Sequence, residues 1–331
     1  MKAIVYTKYG PPAVLQLREV AKPVPEDNQV LVKVQAASAN ALDFRRFEKT
    51  SLLGRFLDGV LLKAINTVIG ADIAGRVEAV GAAVTQFRPG DEVFGQSKGA
   101  RGAFAEYART DENQLALKPA NLSFEQAAAV PVAATTALQG LRDAGQIHTG
   151  QRVLVNGASG GVGTFAVQIA RAFGTEVTGV CSTRNLDMVR SIGADHAIDY
   201  MKEDFTRTGQ HYDLIYDAVG NSSVSAFRRA LNPGGTCVVA GFTSLPRLFE
   251  HMLLGPLRSK IGDKKVGLMG TAQIKQKDLV SLRELLEAGK VTPVIDRRYS
   301  LREVPEAIRY LEAKHARGKV VITVDQNDKI E

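Results

Sequence analysis

The strand-like run Arg152–Val155 leads into Asn156-Gly-Ala-Ser-Gly-Gly-Val-Gly163, and a helical stretch, Val162–Phe173, opens on the last glycines. A turn this tight welds a strand to a helix, and such units assemble into a layered α/β sheet. In Ala158-x-Gly160-x-x-Gly163 each position has a physical task. Gly160 lets the backbone approach a pyrophosphate closely, and Gly163 lets helix and strand pack tightly. Ala158 stands in the place of the usual first glycine, so the turn tolerates a Cβ there. The helix start, Ser159 to Gly163 with Gly161 and Val162 between, then offers free N–H groups and a partial positive charge to an anion. A tight turn that holds no ligand is the alternative reading of the same glycines.

The rhythm around this turn extends the pattern. Strands are expected at Glu176–Val180, Ala197–Asp199, Asp213–Asp217, Thr236–Ala240 and Val266–Met269, with helices at Phe124–Gly140, Leu186–Ile192 and Ser222–Leu231. Short apolar strands alternating with helices predict a doubly wound parallel sheet covered on both faces. The first part of the chain is different. Ala3–Tyr6, Val14–Glu19, Val30–Ala36, Ile73–Val80 and Glu92–Phe94 read as strands punctuated by Gly10-Pro-Pro12 and Arg88-Pro-Gly-Asp91, which predicts a β-rich, partly closed barrel. Helices at Lys277–Ala288 and Val304–Ala316 and a strand at Lys319–Val324 are expected to return to that first domain. The expected organisation is therefore residues 1–124 (β-rich), 125–271 (Rossmann) and 272–331 (return segment). With 331 residues, 45% of them hydrophobic, the chain can fill two cores.

Composition removes several classes of function. Charged residues make up 23% of the chain and no residue type dominates, which excludes a disordered tail or a collagen-like fibre. No apolar run is long enough to span a membrane, and Met1–Tyr6 reads as a strand and not as a signal peptide. The net charge of +7 has no zinc finger, RNA-binding aromatic motif or long basic block behind it, so nucleic acid is not expected as a partner and an anionic small molecule is. Cys181 and Cys237 cannot form a disulfide framework or a zinc knot, and a reducing cytoplasm is the expected location. None of the five histidines (His148, His196, His211, His251, His315) has ligand spacing, and they are read as surface or loop residues. No metal site is expected.

The end of the second Rossmann strand bears on the choice of dinucleotide. An acidic residue there would grip unmodified ribose hydroxyls. This chain has Val180-Cys-Ser-Thr-Arg-Asn185, with no acid before Asp187. Ser182, Thr183 and Arg184 can receive a 2′-phosphate that a carboxylate would repel, and Tyr200, after the third strand, can pack on adenine or bond that phosphate. NADPH is the expected cofactor. Arg184 also has a plainer reading, as a solvated residue at a helix start.

The sequence resembles the medium-chain dehydrogenase/reductase superfamily, and within it the zinc-independent quinone oxidoreductase-like branch. The resemblance covers nearly the whole chain. It is carried by Asn40-Ala-Leu-Asp43, Ile69-Gly-Ala-Asp-Ile-Ala-Gly75 with Val80-Gly81, Phe87-Arg-Pro-Gly-Asp-Glu-Val-Phe94, Gly102-Ala-Phe-Ala-Glu-Tyr107, Val130-Pro-Val-Ala-Ala-Thr-Thr-Ala137, the glycine turn and Gly193-Ala-Asp-His-Ala-Ile-Asp-Tyr200. It implies a Rossmann domain inserted in a split catalytic domain with the active cleft between them, a homodimer joined through Rossmann sheet edges, and NADPH-dependent reduction of quinones or α,β-unsaturated carbonyls. In zinc-dependent relatives a cysteine stands where Asn40 stands, a His-Glu pair takes the place of Ala71-Asp72, and a third ligand lies near Val132.

Carried over by position, the resemblance implies that Asn40 and Thr136 border the nicotinamide and substrate, and that Ser182, Arg184 and Tyr200 recognise the adenosine phosphate. Val219 with Gly220, Ala240-Gly241-Phe242 and Met269-Gly270 would follow the strand ends along the cofactor. Lys319 would return from the C-terminal segment to a cofactor oxygen, with a surface lysine as the equal alternative. Family quinone reductases often carry tyrosines shortly after the Asn40 position; here Phe44-Arg-Arg-Phe-Glu-Lys49 has none. A conjugated acceptor delocalises incoming charge onto oxygen, where hydrogen bonds from Asn40, ribose hydroxyls or water suffice. Other readings are an enoyl-thioester reductase and a non-enzymic NADPH-binding sensor or structural protein. Two apolar segments with helical spacing, Leu52–Ala64 and Leu245–Leu253, read as packed amphipathic helices or as a substrate lid; membrane association is the least favoured alternative.

Overall fold

Strand pairing differs between the two units of the chain: it is mostly antiparallel in one and parallel in the other, whose sheet is of the kind covered on both faces. The computed structural model describes residues 1–44, 67–259 and 262–324. In chain order the first strands are β1 (Lys2–Tyr6), β2 (Leu15–Glu19), β3 (Gln29–Ala39), β4 (Thr67–Val68), β5 (Asp72–Val80), β6 (Glu92–Gln96), β7 (Tyr107–Asp111) and β8 (Leu115–Leu117). Then come β9 (Arg152–Asn156), β10 (Glu176–Cys181), β11 (His196–Asp199), β12 (Tyr212–Asp217), β13 (Leu231–Val239) and β14 (Lys265–Leu268), followed by β15 (Ile295–Ser300) and β16 (Lys319–Thr323).

One unit is drawn from Met1–Val132, Ile274–Glu287 and Pro293–Glu331. Its larger sheet runs β15-β16-β3-β5-β6-β8, with β7 also paired to β3, and a smaller sheet runs β2-β1-β4. The path of the larger sheet stays open among the described residues, so the β-rich unit is two open sheets and no closed barrel. Ile4, Val34, Ile73, Phe104, Leu115, Val320 and Ile322 share its core. Two of its registers, Val320 opposite Ala39 and Ser38 opposite Asp72, bring three distant stretches of chain to the C-terminal end of β3.

The other unit, Ala133–Gln273 with Ala288–Thr292, holds the sheet β11-β10-β9-β12-β13-β14, parallel throughout. Renumbered within the sheet this is order 3-2-1-4-5-6, the doubly wound arrangement whose strand ends bind dinucleotides. Leu154, Val180, Ile215, Phe227, Val239 and Val266 form a core cluster on it.

The expected continuous helix Phe124–Gly140 is instead two, Phe124–Ala128 and Pro131–Gln139, followed by a wider turn of π-helix at Gly140–Ala144. Pro131 lacks an N–H and disfavours helix in the residue before it, so the first helix stops and the second starts on the proline. The segment Leu52–Ala64 lies outside the described residues. The segment at Leu245 forms the helix Leu245–Ser259, which leaves Leu245, Phe249, Met252, Leu253 and Leu257 exposed. His251 on this helix is buried against Phe227, with Nε2 on the Ser222 carbonyl. It is therefore neither the surface nor the loop histidine expected from sequence.

Candidate functional site

At the end of β9 the chain must leave the sheet and start a helix within four residues, and the glycines divide that work. Gly157 takes φ +82°, the left-handed region that glycine enters without a side-chain clash. A Cβ on Gly163 would collide with the Gly157 carbonyl oxygen, so Gly163 is required for strand–helix packing. Gly160 differs. Its φ of −83° suits any residue, and a Cβ there would meet nothing closer than 3.5 Å. The fold does not need a glycine at Gly160; the bare position keeps space clear in front of the helix Gly161–Ala172. Gly160 also gives that helix no side-chain cap, which leaves its first N–H groups for an outside acceptor. A pyrophosphate fits this arrangement.

The remaining strand ends of the parallel sheet carry the other residues singled out from sequence. After β10, Ser182 is half-buried, while Thr183 and Arg184 are exposed. Arg184 makes no ion pair with any described residue. Thr183 Oγ1 donates to Asp199 Oδ2 (2.6 Å), which holds the Asp199 carboxyl below the usual carboxylate range. Asp199, at the end of β11, thus places an acid near Thr183 that the linear reading did not anticipate. Tyr200 follows it and is 59% exposed.

After β12, the carboxylate of Asp217 accepts from Asn156 Nδ2 (2.8 Å) and from the backbone N–H groups of Val219 (3.1 Å) and Gly220 (3.0 Å). These bonds set the turn in which Val219 sits, although burial still raises the Asp217 pKa. Ala240 and Gly241 donate backbone N–H groups to the Asp217 carbonyl, so Ala240-Gly241-Phe242 lies beside that turn. Met269 N bonds to the Val239 carbonyl (3.0 Å), with exposed Gly270 next to it. Thr136, in the helix Pro131–Gln139, is half-buried and offers its carbonyl to Tyr216 Oη (3.2 Å).

The first unit holds a different constellation, and strand register builds it. Asn40, Asp72 and Lys319 are far apart in sequence and meet at the end of β3. Lys319 is 3% exposed and Asp72 0%, so Lys319 is no surface lysine. Its Nζ lies 2.5 Å from Asn40 Oδ1 and 3.5 Å from Asp72 Oδ2. Asn40 Nδ2 donates to Asp72 Oδ2 (2.9 Å) and, at 3.3 Å, to the Ser38 carbonyl. An ammonium only donates and a carboxylate only accepts, so the carboxamide of Asn40 has one workable orientation. Ser38 Oγ (2.7 Å) and Val132 N (3.0 Å) complete the donors to Asp72, and Asp43 Oδ2 accepts the Asn40 backbone N–H (2.7 Å). Burial lowers the Lys319 pKa from its ordinary 10.5, while the Asp72 and Asp43 charges oppose that shift. Among the described residues no group of three or more His, Cys, Asp or Glu is placed to hold a metal ion, and no helix is long and apolar enough to cross a membrane.

Comparison with known proteins places this geometry in a family. A zinc-binding dehydrogenase model matches residues 192–322, and an alcohol dehydrogenase GroES-like domain matches residues 26–120. The 2-methylene-furan-3-one reductase of Solanum lycopersicum is 39% identical across 97% of this chain and 79% of its own length. The NADPH-dependent alkenal/one oxidoreductase, chloroplastic, of Arabidopsis thaliana is 35% identical with the same coverage. The structure of the quinone oxidoreductase from Coxiella burnetii matches with a TM-score of 0.85 at 29% identity, covering 98% of this chain and 99% of that one. With both family models, the relatives' similarity along nearly the full chain and the 3-2-1-4-5-6 sheet in agreement, the chain belongs to the medium-chain dehydrogenase/reductase superfamily, in its quinone oxidoreductase-like branch, and is an oxidoreductase.

Proposed function

We propose that this protein is an NADPH-dependent reductase of quinones or α,β-unsaturated carbonyls that works without a metal. The observation that carries the proposal is the open, uncapped helix start at Gly160, a position the fold could fill with a side chain and does not. Ser159 to Gly163 would hold the pyrophosphate. Ser182, Thr183, Arg184 and Tyr200 would hold the phosphorylated adenosine end, with Arg184, which makes no ion pair among the described residues, as the cation for the extra phosphate. Val219, Ala240 to Phe242 and Met269-Gly270 would border the remaining length of the dinucleotide. When bound, the nicotinamide supplies the hydride.

The residues of this chain bind and orient. The positions that hold zinc ligands in zinc-dependent members are here Asn40, Ala71-Asp72 and Val132, a set poor in the nitrogen and sulfur donors zinc prefers. Asn40 is fixed by Lys319 and Asp72, and its longer hydrogen bond, to the Ser38 carbonyl, is the one that can be redirected to a substrate oxygen. Charge on a quinone or enone oxygen is spread by conjugation, so one such donor and water suffice, whereas an isolated ketone would need stronger polarisation. The named relatives that reduce a furanone, alkenals or enones support this substrate class.

Initial rates with NADPH and NADH against a benzoquinone, a short enal, an enone, an acyl thioester and ethanol test the reading. Quinone or enone reduction with kcat/KM about tenfold or more higher for NADPH is expected, the scale of one charge-assisted contact. Faster ethanol oxidation than any reduction, or tight NADPH binding without turnover on any acceptor, overturns it.

We further assign a homodimer formed through β14. Among the described residues this strand has a neighbour on one side only, and it carries exposed Leu268, an open edge of the kind that pairs with another copy. Sedimentation should give twice the chain mass; a monomer at micromolar concentration contradicts the assignment. Free, buried Cys181 and Cys237 suit a reducing compartment, and we assign the cytoplasm.

A further inference from the structure

We propose that Asn185 makes this site selective for a phosphorylated adenosine ribose, by joining Ser159 to Ser182 and freeing both serine protons for a phosphate monoester. The proposal rests on the dinucleotide reading above and adds a residue that the glycine turn and the basic side chains do not explain.

Asn185 sits where the chain leaves β10. Its backbone N–H closes the turn on the Ser182 carbonyl (2.8 Å), and its side chain turns inward, leaving the residue 5% exposed. From there Nδ2 reaches Ser159 Oγ (3.0 Å), in the glycine turn of the neighbouring strand, and Ser182 Oγ (3.2 Å). A hydroxyl that accepts a hydrogen bond on one lone pair keeps its own O–H free to donate. Both serines are half-buried. Asn185 therefore turns two hydroxyls, from two strand ends, into a matched pair of donors. The same carboxamide leaves Oδ1 buried with no hydrogen-bond partner among the described residues. A buried acceptor in that condition is costly.

The charges agree with a phosphate. Asn185 is neutral at a strand end where an acid would select unphosphorylated ribose. Arg184, beside it, is exposed and makes no ion pair with a described residue. The nearby carboxylate of Asp199 is occupied by Thr183 Oγ1 and the Met201 N–H (3.0 Å), with Lys202 Nζ at 3.9 Å. Two hydroxyls that accept from Asn185 and the Arg184 guanidinium thus gather at this strand end, with the Asp199 carboxylate bonded to Thr183 Oγ1.

The test compares Asn185→Asp, Asn185→Ala, Ser159→Ala and Ser182→Ala by calorimetric titration with 2′,5′-ADP, 5′-AMP, NADPH and NADH, with thermal unfolding as the control for folding. Aspartate keeps the shape, but it accepts both serine protons and adds a charge. Asn185→Asp is expected to weaken 2′,5′-ADP and NADPH by about a hundredfold, with 5′-AMP and NADH unchanged or tighter. Each serine variant should cost about tenfold for 2′,5′-ADP alone. If Asn185→Asp and both serine variants leave the ratio of NADPH to NADH affinity as in wild type, or weaken both ligands equally, the proposal fails while the dinucleotide reading stands. If wild type binds no dinucleotide, both fail.

Discussion

Gly160→Ala is expected to weaken NADPH binding by about a hundredfold or more, about 3 kcal/mol, with the thermal midpoint unchanged. A methyl group at this position has room, since nothing lies within 3.5 Å of it, and the backbone angles are ordinary. The methyl would stand in front of the uncapped N–H groups, where a pyrophosphate must approach the backbone directly. Gly163→Ala should behave in the opposite way. Its methyl would strike the Gly157 carbonyl, strand and helix would have to separate, and the cost of such overpacking is about 1–3 kcal/mol of stability or more. Calorimetric titration beside a thermal scan separates the two outcomes. Unchanged affinity in Gly160→Ala would mean that the helix start is not the phosphate seat, and the proposed function would lose the observation that carries it.

These two glycines also mark how far the sequence could be read. The motif Ala158-x-Gly160-x-x-Gly163 announces a strand–turn–helix unit because strand, turn and helix are local, and their periodicities sit side by side in the chain. That Gly163 serves packing and Gly160 leaves open space is not local; it depends on where the Gly157 carbonyl points. The Rossmann strands were legible because burial on both faces makes them continuously apolar. The strand Ile295–Ser300 was not: it ends its sheet, and its residues Ile-Asp-Arg-Arg-Tyr-Ser show an edge exposed to water. The short Leu115–Leu117 ends the same sheet at the other side. Polar contacts were hardest to see. The link from Asn185 to Ser159 spans two strand ends, and that from Lys319 to Asn40 spans most of the chain. Pairing register decides both, and register is a property of the whole sheet. The resemblance singled out Lys319 and Asn40 separately, and the local signal was a lysine opening an otherwise apolar strand, Lys319-Val-Val-Ile, where a charged side chain must find a buried partner or turn outward.

Asp72→Ala is expected to cost about 3–5 kcal/mol, because it leaves the Lys319 ammonium buried with its nearest carboxylate removed. Ser38 Oγ, Asn40 Nδ2 and the Val132 N–H lose their shared acceptor in the same step. A fall in Tm on the order of 10 °C is expected for a domain of this size. Replacing both partners is gentler: Asp72→Asn with Lys319→Met removes the two charges together, and its stability should return to within about 1–2 kcal/mol of wild type. The pH dependence gives an independent check, and its sign is fixed. Burial already holds the Lys319 pKa below its ordinary 10.5, and the Asp72 charge pulls the other way. In Asp72→Asn that opposing charge is gone, so the folded-state pKa falls further while the unfolded value does not. Over the widened interval the unfolded chain binds more protons than the folded one, and stability therefore rises with pH. The deficit of Asp72→Asn relative to wild type should shrink as the pH rises toward the ordinary lysine value of 10.5 in urea unfolding, and the Lys319→Met background should abolish that trend. A deficit that stays constant with pH, or a double variant as unstable as Asp72→Asn alone, would show that Lys319 is not the charge Asp72 holds.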